Sequence, residues 1–242
     1  MFQHKTVAAV ATVLLLIIVF VSSASADRRS FVWTYQYATM PAGETELEYY
    51  FGYRLADQDN RSAGKYTHQI EIETGITDRL DVSLYQMFAQ TNSEGFAYDG
   101  VKLRSRLRLF EAGQYPLDPL LYAEIIRPSD HAEPTTLEGK LILARDFAPG
   151  FGAFNLVAER ELGEGHELEW EYTVGLGYEA RPSFSLGIEA KGNFKSGDEA
   201  VHAAGPTMSW ASRTLWFSAG VLFPLNENAN DVEFRYILGF DL

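Results

Sequence analysis

The chain has 242 residues, 33 Asp and Glu against 20 Lys and Arg, a formal net charge of −13 and no cysteine. So acidic a chain has little electrostatic hold on a phosphate backbone, which argues against a nucleic-acid partner. Without cysteine there is neither a disulfide nor a thiolate metal site.

The first residues, MFQHKTVAAVATVLLLIIVFVSSASA, read as a signal peptide. Lys5 precedes an apolar run from Val7 to Val21, and Ala24 and Ala26 supply the small-x-small pattern of a cleavage site after Ala26. The run is shorter than the roughly 20 residues of a spanning helix. Residues 27–43, DRRSFVWTYQYATMPAG, are aromatic-rich and begin with Arg28 and Arg29. They are expected to form a periplasmic segment or plug that brings both arginines near lumen carboxylates. The rivals are an extra edge strand and a disordered lead.

From Glu44 to Leu242 the chain alternates apolar and polar residues in segments of roughly ten, the length and pattern of membrane strands. In ETELEYYFGYRL, Leu47, Tyr49, Phe51, Tyr53 and Leu55 take one face and Glu44, Glu46, Glu48 and Arg54 the other. About twelve strands are expected, near 44–55, 65–76, 79–90, 99–110, 118–127, 135–146, 151–161, 166–179, 184–194, 200–211, 213–223 and 230–242. Ten or fourteen are the even-numbered alternatives. The tenth is the weakest, because Pro206 belongs at a bulge or an edge.

The connections alternate in kind. Compact ones (77–79, 111–117, 148–150, 181–183, 211–213) interleave with polar ones (ADQDNRSAG, TNSEGFAYD, PSDHAEP, GEG, KSGDE, NENAN). This predicts an all-β, antiparallel, up-and-down transmembrane barrel over residues 44–242, with both ends on the periplasmic, short-turn side.

A soluble sandwich or lipocalin-like barrel also alternates, but with its apolar face inside. The inverted arrangement is favoured by aromatics near strand ends on the apolar face, such as Trp170, Tyr178, Trp210, Phe223 and Phe240. The final strand, with Phe234, Tyr236 and Phe240, resembles the C-terminal signal read by the barrel-insertion machinery; the last residue, Leu242, is apolar but not aromatic.

Residues 101–110, VKLRSRLRLF, carry Lys102, Arg104, Arg106 and Arg108 at every second position, between leucines. On a barrel strand these cations point into the lumen. A one-residue slip would place them in lipid at roughly 2–4 kcal/mol per Arg at the midplane. The same parity sends Glu71, Glu73, Glu167, Glu169 and Glu171 inward. These nine residues are the expected pore lining. A barrel near twelve strands is at the border between a filled interior and a channel.

No catalytic site, metal site or cofactor is expected. His68, His131, His166 and His202 show no ligand spacing. Ser209 and His202 fall on opposite faces of one strand, and the i, i+2 carboxylate pairs are too many to mark one dyad.

Several stretches together, FVWTYQYATMPAGETELEYYFGYR, HQIEIETGITDRLDVSLYQMF, YPLDPLLYAEIIRP, LEGKLILARDF and LGIEAKGNF, resemble a group of bacterial outer-membrane β-barrels akin to meta-pathway phenol-degradation transporters and porins. The resemblance implies an integral outer-membrane location and a transport role. It brings no catalytic residues, and a charged lumen does not suit phenol. The function expected is passive passage of small hydrophilic solutes, cations or zwitterions by the excess of carboxylates. A closed structural or interaction barrel and, further off, an outer-membrane enzyme are the rivals.

Overall fold

The computed structural model describes residues 28–55, 64–91, 95–195, 200–227, 229 and 232–242. The expected signal peptide, its cleavage site and parts of four polar connections (56–63, 92–94, 196–199, 228 and 230–231) lie outside the described residues. Twelve antiparallel strands close into one barrel, each paired with its chain neighbours and β1 with β12. They are β1 (Thr45–Leu55), β2 (Gly64–Thr77), β3 (Leu80–Thr91), β4 (Gly95–Arg108), β5 (Asp118–Pro128), β6 (Thr136–Phe147), β7 (Gly150–Glu161), β8 (Glu169–Arg181), β9 (Phe184–Asn193), β10 (His202–Ala211), β11 (Leu215–Pro224) and β12 (Val232–Asp241).

The alternation has a physical consequence in each strand. On β4, Leu103 is 54% exposed on the outer surface and its neighbour Arg104 is 1% exposed inside. Ile70 and Ile72 face out beside the buried Glu71 and Glu73. The barrel is therefore inverted relative to a soluble one: charges are inside, and an apolar surface of Ile, Leu and aromatic side chains is outside.

Two local expectations change. Residues 95–98, read as loop, begin β4 instead. A register shift between Met87 and Phe88, opposite Gly100 and Tyr98, restores the outward parity of Phe96 and Tyr98. Their rings then pack on Phe88, at centroid separations of 5.3 and 5.6 Å. Gly100 has φ 141°, a conformation that suits glycine at this shift. Pro206 makes no bulge: the β9–β10 register runs unbroken through it, and the β10–β11 ladder omits Gly205 and Pro206. An imide without a donor is accommodated by an interrupted ladder.

Residues 28–44 precede β1 and turn back into the barrel from the short-turn end. Phe31, Val32, Thr34 and Met40 are buried there. The inner faces of the strands carry buried apolar side chains beside polar ones where this segment lies. Val32 and Trp33 join Tyr50, Tyr85, Trp216, Leu222 and Ile237 in one cluster, Tyr35 joins Leu120, Tyr122 and Ile142 in another, and Phe31 joins Ala144 and Ala153 in a third.

The segment leaves the lumen beside β2, where Gly43 N donates to Gly75 O (2.9 Å) and Gly75 N donates to Glu44 O (3.0 Å). A Cβ at Gly75 would lie 1.9 Å from Pro41 O and 2.5 Å from Met40 O, both backbone atoms. Gly75→Ala should therefore destabilise the barrel by about 1–3 kcal/mol, the usual cost of overpacking. Urea unfolding followed by the shift of the folded band on unheated gels measures it.

Candidate functional site

The lumen holds the charged side chains, and its two ends differ. Towards the short turns, β4 presents Arg104 and Arg106 to β2 and β3. Arg104 Nη2 lies 2.7 Å from Glu71 Oε1 and 2.5 Å from Glu73 Oε2. It also donates to Ser83 Oγ (2.6 Å), while Nη1 donates to Tyr85 OH (2.6 Å). Arg106 pairs with Glu73 and, at 2.7 Å, with Asp81 Oδ2. Tyr50 OH donates to Glu71 Oε2 at 2.7 Å. All these groups are buried. Desolvating such charges is costly, and the pairing with further hydrogen bonds offsets it.

Above this network Lys102 pairs with Glu124 at 3.2 Å; at its lower end Arg108 donates to the Asp78 carbonyl. The cation ladder is thus one continuous inward row, and the structure brings Arg104, Arg106, Glu71 and Glu73 together. Glu169 and Glu171 lie elsewhere, at the loop end of β8, and Glu167 lies just before that strand. All three are exposed.

The N-terminal segment is fixed by side chains that the alternation pattern did not single out. Glu189, from the middle of β9, accepts the backbone N–H groups of Val32 (2.7 Å), Trp33 (2.8 Å) and Thr34 (2.8 Å). Asn155 on β7 accepts from Tyr35 N (2.7 Å) through Oδ1 and donates to Tyr35 O (2.9 Å) through Nδ2. Met40 N donates to Asp81 (3.1 Å), and Ser218 donates to the Arg29 carbonyl. Arg29 reaches Tyr50 OH (3.3 Å) and Val32 O (3.1 Å), and Arg28 reaches Arg213 O (3.1 Å). The Tyr35 ring has the guanidinium of Arg29 at 4.1 Å and Lys140 Nζ at 5.0 Å from its centroid. Phe31 occupies space left by glycine, since a Cβ at Gly175 would lie 2.8 Å from its ring.

At the loop end the mouth of the lumen has two unlike walls. Arg54 of β1, Lys65 of β2 and Arg235 of β12 come from adjacent strands. Glu138, Glu159, Glu161, Glu169 and Glu171 come from β6, β7 and β8. In a ring of twelve strands β1 and β7 are diametrically opposed, so a basic wall faces an acidic one. Between them, Lys191 of β9 reaches Glu233 of β12 at 2.7 Å.

The histidines have ordinary partners: Tyr49 OH for His68 (2.7 Å), Arg127 for His131 (3.0 Å), Glu161 for His166 (2.8 Å) and Tyr172 OH for His202 (3.1 Å). Among the described residues no group of three or more His, Asp or Glu could hold a metal ion.

The same barrel occurs in solved outer-membrane proteins. The KdgM porin, determined in complex with disordered oligogalacturonate, superposes with a TM-score of 0.59 at 8% identity, over 81% of this chain and 99% of that one. The NanC porin gives 0.59 at 10%, over 81% and 100%. An outer membrane channel from Pseudomonas putida F1 gives 0.55 at 11%, over 84% and 98%. At such identities the likeness is one of fold. No protein-family model matches the sequence, and no curated protein matches it.

Proposed function

We propose that this chain, with residues 1–26 as a cleaved leader, is an integral outer-membrane channel through which small hydrophilic solutes pass passively. The observation that carries this reading is the inversion of a closed barrel: Leu103 outside and Arg104 inside, repeated around the ring. An apolar outer surface of this extent is unfavourable in water and suits a bilayer, where a closed barrel leaves no strand edge unpaired. The shared fold with the KdgM and NanC porins supports the same reading.

The solute preference follows from the mouth. Carboxylates outnumber cations on the inner wall of its β6–β8 side, which favours cations and zwitterions over simple anions. Lys102, Glu169 and Glu171 would meet a passing solute, whereas Arg104, Arg106, Glu71 and Glu73 would act by holding the wall in shape. A meta-pathway phenol would meet mainly carboxylates and cations at this mouth.

A second reading, a closed barrel with an interaction role, is favoured by the burial of residues 28–44 in the lumen. Conductance of the refolded chain in a planar bilayer under a salt gradient separates the two. Discrete steps with a cation-selective reversal potential support the channel. An inserted, folded and silent protein supports the closed barrel.

A further inference from the structure

The basic side of the mouth is a cleft of about 260 Å³, walled by Arg54, Lys65, Lys191, Arg235 and Glu233 and, from the N-terminal segment, by Trp33. Arg235 sits over the Trp33 ring, 5.6 Å from its centroid. The indole is 6% exposed, and its buried Nε1–H has no acceptor among the described residues. An indole N–H can only donate, and leaving one buried without a partner costs free energy. Of its four cations Lys191 is held by Glu233, the one carboxylate of the lining, so the lining keeps an excess of positive charge that suits a hydrogen-bond acceptor bearing negative charge.

We propose that this cleft is a binding subsite for the carboxylate end of a small zwitterionic solute, whose ammonium end faces the acidic wall of β6–β8. This deepens the channel reading and rests on it for the solute's route, but the site itself stands on the cleft. Arg235 offers a planar fork suited to a carboxylate, and Lys65 and Arg54 add charge at the entrance. Glu233 holds Lys191 at 2.7 Å and so keeps one ammonium at the rim. Walls of opposite sign across the mouth would orient a solute carrying both charges and disfavour one carrying a single charge. Because Trp33 belongs to the segment whose amides rest on Glu189, an occupant of the cleft touches the segment that fills the lumen.

The test uses the mature full-length chain, folded in detergent and titrated with 5-aminopentanoate while tryptophan fluorescence is followed. Pentylamine, which lacks the carboxylate, is the control. A saturable change is expected with 5-aminopentanoate and none with pentylamine. Lys65→Gln, at an exposed position, and Arg235→Gln should each weaken binding about tenfold, as loss of one charge-assisted contact does. Trp33→Phe should remove most of the signal.

An equal response to pentylamine overturns the proposal. So does no saturation up to about 100 mM, or unchanged affinity in folded Lys65→Gln. Binding by a protein that is silent in bilayers would leave the subsite standing and reject the channel. Conductance without binding would do the reverse.

Discussion

Replacing Glu189 by Gln should loosen the N-terminal segment and raise the conductance of the barrel. The carboxylate holds three consecutive amides, Val32 on one oxygen and Trp33 and Thr34 on the other. A carboxamide keeps one acceptor oxygen and places an NH2 against the remaining N–H groups. At least one buried amide then loses its acceptor, at about 1–3 kcal/mol, and the other bonds lose their charge assistance. The strand ladder does not depend on this side chain, so the barrel should still close.

The expected results are more frequent or longer open events in bilayers and faster proteolysis within 28–43 in the otherwise folded protein. Deleting 28–43 should have the larger effect, a steady open level. Unchanged conductance in both variants would mean that the segment does not limit passage.

The barrel was legible in the sequence because its cause is local. A period of two with lipid-like residues on one face fixes strand identity and orientation without knowledge of the partner strand. Hence each expected segment matches an observed strand. Where the boundary moved at Gly95, the cause was non-local: Phe96 and Tyr98 gain packing on Phe88 of the neighbouring strand only after a register shift.

The interior was less legible. Arg104 and Arg106 could be placed inward by parity, yet their partners Glu71, Glu73 and Asp81 come from two other strands in a register that no single segment states. The basic wall at the mouth is built from single cations on β1, β2 and β12, the first two strands of the chain and the last, which meet only when the barrel closes. One sign of the lumen filling was present: the inward positions of β7 to β9 include Ala153, Gly175 and Gly187, small residues where a wall facing only water needs no such restraint, and Asn155 stands between the apolar Ala153 and Val157. Small inward residues leave room for Phe31, and a lone amide among apolar neighbours serves a backbone at Tyr35.

Replacing Arg104 by Met should cost the barrel about 3–5 kcal/mol, the penalty of breaking a buried ion pair by removing one partner. Glu71 and Glu73 both lie against Nη2 of its guanidinium, both fully buried, and Ser83 and Tyr85 lose an interaction with the same group. Arg106 remains beside Glu73, so Glu71 is the carboxylate left with less compensation; Tyr50 OH still donates to it. Arg104→Glu should be worse, since it adds a third carboxylate to the two already facing it.

The outcome expected is a lower urea midpoint and a lower yield of folded protein, with the ion selectivity of whatever folds close to that of the parent, because Arg104 is 1% exposed and paired within the wall. Lys102→Glu is the contrasting change. Its ammonium stands one step nearer the mouth and 19% exposed against Glu124, so it should shift the reversal potential towards cations at a smaller cost in stability. If Arg104→Met shifted selectivity and left the urea midpoint alone, Arg104 would line an open pore, and the network around it would not be the structural core of the wall.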